Sequence, residues 1–272
     1  QLYSLNSIFP FTRIMRTKLY KIIVLILISS LLNKFTISCK EKNNELKMIR
    51  GKQIEIGAKL ESDSSFLKDM QPYHDELESK INEVLCYNPR NLSRGEAELE
   101  SSLGNFYADA CLKSADSIFM QKTGKHIDFA LFNYGGIRTA IPKGSVTVEQ
   151  IFKLMPFENK LVIAHLSGSK VTELFDYLAK RKEAHPISGV HLELMGEELS
   201  KIEIQGKVFD PNKNYWVLTH DYLQHGGDNM SFFTEPLDLY ISDYKVRDAL
   251  IDHLRKADTL HSSLDNRFSK IN

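Results

Sequence analysis

Ile127-Asp128-Phe129-Ala130-Leu131-Phe132-Asn133-Tyr134-Gly135-Gly136-Ile137-Arg138 is the stretch whose reading decides this chain. Its first six residues are a short apolar run bounded by a turn signal, which predicts a buried strand. The two glycines then let the backbone take positive φ and come close to a ligand. Asn133 and Arg138 place an amide and a permanent cation at the strand's end, chemistry suited to a polar, anionic small molecule. A plain Gly-Gly turn with a surface arginine is the alternative, and the rest of the chain has to decide between them.

Upstream of this stretch, Ser93-Arg94-Gly95-Glu96 has the spacing of a capping box. The helix it predicts runs through Leu99, Leu103, Phe106, Tyr107, Ala110 and Cys111 towards Phe119. Before it, Phe66 to Leu85 carries apolar residues at helical spacing, Pro89 breaks the run, and Gln53 to Ala58 alternates as a short strand. Downstream, Pro142-Lys143-Gly144 turns the chain and Thr147-Val148-Glu149-Gln150 forms a second capping box. Lys160 to Leu166 reads as a strand and Gly168 to Arg181 as an amphipathic helix. Val190 to Leu194 is a further strand, residues 199–209 a hairpin around Gly206, and Tyr215 to Thr219 another strand. Gly226-Gly227-Asp228 is a second glycine loop, and Ser242 or Asp243 caps a last helix to about Lys256. Single strands among helices predict an α+β domain, a mixed sheet flanked by helices.

Lys plus Arg and Asp plus Glu number 35 each in the 272 residues, so the formal charge is zero. That balance argues against a nucleic-acid binder, which carries a basic excess. Met15 to Lys21 is a basic segment, and Ile22 to Leu32 an apolar run too short to span a bilayer, which needs roughly 20 residues. Together they read as a signal peptide, with residues 1–14 an upstream extension. A small residue before Cys39 resembles a lipoprotein box and predicts lipidation at Cys39. The expected location is therefore the cell envelope, on its periplasmic or outer-surface side. Plain secretion and a retained signal anchor are the alternatives. Cys86 and Cys111 have no metal-ligand spacing, and a buried free thiol is the ordinary fate of a cysteine on a helical face. The division expected is residues 1–39 for extension and signal, 40–92 for tether and accessory segment, 93–258 for the recognisable domain and 259–272 for a tail.

Four segments stand in order: Leu103-Gly104-Asn105-Phe106-Tyr107-Ala108-Asp109-Ala110, Asn133 to Arg138, Pro156-Phe157-Glu158-Asn159, and Gly226-Gly227-Asp228. Together they resemble the C-terminal domain of the family of 5'-nucleotidases, UDP-sugar hydrolases and 2',3'-cyclic phosphodiesterases, over about residues 93–258. The resemblance implies a nucleotide-recognition domain. Phe157 and Tyr222, the latter where the family usually has Phe, would sandwich the base. Asn159 would lie beside the base, Asp228 would accept from ribose hydroxyls, and Asn133, Gly135, Gly136 and Gly227 would shape the pocket. Arg138 would face the phosphate. Another family arginine falls at Ala97, with Arg94 nearby, which leaves Arg138 as the best candidate phosphate contact.

Full-length members place a two-metal phosphatase domain before this one, with Asp-x-His and Gly-Asn-His motifs that this sequence lacks. The expectation is no catalytic residue and no cofactor in this chain, two divalent metals on a separate metallophosphatase chain, and no nucleic-acid partner. A stand-alone nucleoside- or nucleotide-binding lipoprotein is the runner-up, and a scaffold that kept only the fold is a third reading.

Overall fold

The computed structural model describes residues 10–35, 46, 48–57 and 60–271. It divides into two units, Gln1–Ser62 and Asp63–Asn272. In the first unit, Pro10–Phe35 forms helix α1, whose apolar residues Leu19, Ile22, Ile23, Leu25 and Ile26 are exposed. No helix among the described residues is long and apolar enough to cross a membrane. Residues 53–57 have no regular structure, contrary to the strand expected there, and Ala58 lies outside the described residues. Ile54 and Ile56 are exposed, and no strand among the described residues pairs with them. Cys39 also lies outside the described residues.

The second unit opens with α2 (Ser64–Ile81), capped by Asp63, and β1 (Val84–Asn88). Helix α3 spans Ser102–Thr123, so the capping box expected at Ser93 does not form. Ser101 caps the helix instead, accepting from the Gly104 amide at 3.0 Å. Glu96 reaches forward to accept from the Ser102 amide at 3.1 Å and from the Ser102 hydroxyl. A carboxylate beside the exposed amides of a helix start serves as a cap from either direction.

The remaining elements are β2 (Phe129–Leu131), β3 (Gly144–Thr147), α4 (Val148–Leu154), β4 (Lys160–Ser167) and α5 (Gly168–Arg181). Then come β5 (Ile187–Ser188), β6 (Val190–Met195), β7 (Glu198–Ile204), β8 (Lys207–Val208) and β9 (Asn214–His220). The chain closes with α6 (Asp221–Gln224), β10 (Asp238–Lys245), α7 (Val246–Leu254) and β11 (Phe268–Ile271). The Thr147 to Gln150 capping box is present on α4 in both directions.

Five strands form the central sheet in the order β10-β4-β9-β2-β5. β2 and β9 run parallel and the other pairs antiparallel, so the sheet is mixed. Both faces are covered. Ala130, Phe132, Ile163 and Leu218 pack with α3 and α7 in one core, and Phe129, Leu131, Leu166 and Val217 pack with α5 in the other. This two-fold alternation is what a sheet buried on both sides requires. β1 pairs with β3, and a four-stranded sheet has the order β11-β6-β7-β8.

Two expectations near the C-terminus fail. Ser242 and Asp243 do not cap a helix; they lie in an irregular stretch of β10 where its pairing with β4 shifts between Ile241 and Lys245. Segment 259–272, read as a tail, is built in. Leu260 donates its amide to Tyr87, β11 pairs parallel with β6, and Arg267 grips Asp109 on α3 with two hydrogen bonds of 2.7 and 3.0 Å. Cys86 and Cys111 are free and buried.

Candidate functional site

The parallel strands β2 and β9 end side by side, and β4 begins beside them. Ligands of open α/β sheets gather at such carboxyl ends. Asn133 after β2, and Tyr222 and Asp228 after β9, line a cleft of about 670 Å³ together with the segment before β4. That volume suits a ligand of nucleotide size.

At the centre lies a hydrogen-bonded chain. Asn133 is buried, and its Nδ2 donates to Asp228 Oδ2 at 2.5 Å while its Oδ1 faces His220 Nε2 at 3.2 Å. Tyr222 donates its hydroxyl to Asp228 Oδ1 at 3.1 Å, and Tyr177 donates to the Asp228 carbonyl at 3.0 Å. Each oxygen of the Asp228 carboxylate keeps a further lone pair for a ligand hydroxyl. Asp228 sits at φ 53, the left-handed region that Asp and Asn tolerate best among residues with side chains. Burial presses the His220 pKa down to about 4, so near neutrality the ring is uncharged and bonds Asn133 as a fixed donor. His220 therefore has the structural role of orienting Asn133.

The glycines serve differently from the expectation. Gly135 and Gly136 form a single 3-10 turn with Tyr134 and neither has positive φ. Gly136 is needed for closeness: a Cβ there would stand 2.8 Å from Asn133 Oδ1. Gly227 does not line this cleft but an adjoining groove. A Cβ on it would stand 2.4 Å from the Tyr222 ring, so its absence leaves room for that ring against the loop.

The lip of the cleft is looser. Phe157 and Tyr222 are 43% and 48% exposed, which leaves the rings free to take a flat partner. Arg138 is exposed; its guanidinium lies 6.0 Å from the Phe157 ring centre and, among the described residues, bonds only the Gly135 carbonyl, at 3.2 Å. Asn159 also lines the cleft, with its Nδ2 on Asp221 Oδ1 at 2.7 Å. Ala97 is exposed and lies off the cleft. Arg94 does not take its place. It stacks 4.4 Å over the Tyr134 ring and donates to the carbonyls of Tyr134 and Ile137, bracing the glycine turn from behind.

Sequence reasoning passed over four contributors. Met155 and Glu158 line the cleft. Glu158 is held by Lys245 and Arg247, and those bonds pull its pKa down to about 2. His185 accepts from the Tyr134 amide at 3.0 Å, with burial holding its pKa at about 4. Asp221 ties Asn159 to the start of α6. Adjacency of Asp221 to Tyr222 was the one local signal. Among the described residues no group of three or more His, Cys, Asp or Glu could hold a metal ion.

A family model described as the 5'-nucleotidase, C-terminal domain matches residues 80–235. Protein UshA of Yersinia enterocolitica is 28% identical over 215 residues, covering 70% of this chain and 37% of that protein. The trifunctional nucleotide phosphoesterase protein YfkN of Bacillus subtilis is 29% identical over 201 residues, covering 66% of this chain and 13% of its own. Among solved structures, a 5'-nucleotidase precursor from Thermus thermophilus shares the fold at a TM-score of 0.64 and 21% identity, over 77% of this chain and 44% of that one. The NAD nucleotidase of Haemophilus influenzae does so at 0.60 and 18%, over 77% and 42%. The chain spans less than half the length of these relatives. The match over residues 80–235, on a mixed sheet whose strand ends carry the glycine loops, shows that this chain belongs to the 5'-nucleotidase C-terminal domain family.

Proposed function

We propose that this domain is the nucleotide-recognition half of a 5'-nucleotidase-type phosphohydrolase. The observation that carries the reading is the Asp228 carboxylate, held by Asn133 and Tyr222 in a cleft that the half-exposed Phe157 and Tyr222 rings and Arg138 also line. In this reading Phe157 and Tyr222 stack the base, a contact of roughly 1–3 kcal/mol per base that any base can make. Asp228 accepts from the ribose hydroxyls, and Arg138 meets the phosphate with its planar fork. The hydrolytic chemistry comes from two divalent metals on a separate metallophosphatase chain, which activate water and stabilise the leaving oxygen. Cys39 carries a lipid that holds the assembly at the cell envelope.

The test is phosphate release from AMP by this chain, by a metallophosphatase lacking this domain, and by both together. A rate on mixing that exceeds the sum supports the partnership, and a merely additive rate overturns it. The half-exposed rings and the Asp228 carboxylate serve equally a second reading, a binding lipoprotein without catalysis. Here AMP or adenosine at 100 times its dissociation constant raises stability by about 2.7 kcal/mol while mixing adds no phosphatase activity.

A further inference from the structure

Asp221 is the first residue of α6 and faces the start of β4 across the cleft's edge. Its Oδ1 accepts from Asn159 Nδ2 at 2.7 Å and from the Tyr222 amide at 2.8 Å, and its Oδ2 accepts from the Lys160 amide at 3.2 Å. Burial opposes the charged form, but these bonds outweigh it and hold the carboxyl below its ordinary range. An ionised carboxylate only accepts hydrogen bonds. The Asn159 amide therefore has one allowed orientation, since reversing it would set oxygen against oxygen. Its backbone is pinned too, the carbonyl accepting from the Val246 amide at 3.0 Å. What remains for a ligand is Asn159 Oδ1, which accepts nothing from the described residues and is not sealed from solvent. Phe157 lies two residues before Asn159, and Tyr222 follows Asp221. Asn159 and both rings assigned to the base line the same cleft.

We propose that Asp221 is a positioning residue that turns the Asn159 oxygen to the cleft, so that the site selects bases bringing an N–H donor to that oxygen. The inference rests on the nucleotide-binding reading above and adds a rule of selection to it. Stacking alone tolerates every base, whereas a fixed acceptor discriminates, because a base without a donor leaves it unpaired.

Purine riboside, adenosine and inosine separate these possibilities. All three share the ribose and the bicyclic ring, but only purine riboside has no N–H on its base. Calorimetric titration of the full chain is expected to give adenosine, inosine or both an affinity roughly five- to tenfold above that of purine riboside, the scale of one neutral hydrogen bond. In Asp221→Asn the residue at 221 donates as well as accepts, so Asn159 is free to reverse. The gap then closes to within about twofold, with purine riboside binding unchanged. A merely structural role for Asp221 would weaken all three in parallel. Should that variant fold poorly, Asn159→Leu is expected to close the gap while both rings remain. Equal binding of the three nucleosides to the unaltered chain overturns the inference and leaves the nucleotide-binding reading standing. So does a gap that survives in a folded variant, or a parallel loss. Failure of all three to bind overturns both.

Discussion

The two sides of the cleft are built on different terms. On the inner side, Asn133, His220 and Asp228 form a chain whose first two members are buried, each fixed by the next. On the outer side, Arg138 and Phe157 are exposed and touch little. The contrast teaches where fold stability and ligand affinity are joined and where they separate. A change on the inner side strands a buried polar group, so it weakens the fold and the site together. A change on the outer side removes only what a ligand would have met.

Asp228→Ala should break the inner side most severely. It removes the carboxylate, leaves Asn133 Nδ2 and the Tyr222 hydroxyl without their acceptor, and places Ala at a left-handed φ. Nucleoside affinity is expected to fall about 100-fold, with a lower melting temperature in the same sample. Asp228→Asn, which tolerates that backbone, should keep more of the melting temperature than of the affinity.

Acid should act on the inner side through its buried histidines. His185 and His220 have folded pKa values of about 4, pushed down by burial, against an ordinary value near 6.5. Between those values the unfolded chain holds more protons than the folded one, so stability is lost as pH falls below about 6.5 and the loss levels off near 4. From pH 7 to 5 the loss is on the order of 2 kcal/mol per histidine, read by urea denaturation at each pH. In His220→Gln the slope across this window should be shallower.

Phe157→Ala sharpens the contrast from the outer side. Adenosine affinity should drop roughly tenfold, within the range for losing one stacked ring, while the melting temperature stays within about a degree, as for a surface substitution. Arg138→Ala is the smallest and most selective change. AMP binding should weaken a few-fold and adenosine binding not at all, because only the phosphate gives the fork a partner. Equal loss for both ligands would put Arg138 somewhere other than the phosphate side.

What the sequence made legible follows the range of the contacts concerned. Thr147 and Gln150 lie three residues apart and cap each other as their spacing predicts, and Gly206 turns a hairpin between adjacent strands. Gly135 and Gly136 line the cleft, and it is closeness of Gly136 to Asn133, not positive φ, that calls for a glycine there. The misses rest on partners outside the local pattern. Glu96 supplies a cap from outside α3, which moved the helix start from Ser93 to Ser102. Ser242 and Asp243 look like a cap because small polar residues also mark irregular strands, and only β4 reveals which they are. Asp221 meets Asn159 across 62 residues, a contact that no periodicity encodes.

The Arg267 to Asp109 grip joins residues 158 apart in sequence. Contacts of such separation are costly to close and form late. Until β11 is seated, β6 is the border of its sheet, a row of open amides and carbonyls beside Leu192 and Leu194. Such a border recruits strands from other molecules. The last strand is therefore a guard against self-association as much as a source of stability, and a chain cut before Arg267 should aggregate during refolding at concentrations where the full chain stays clear.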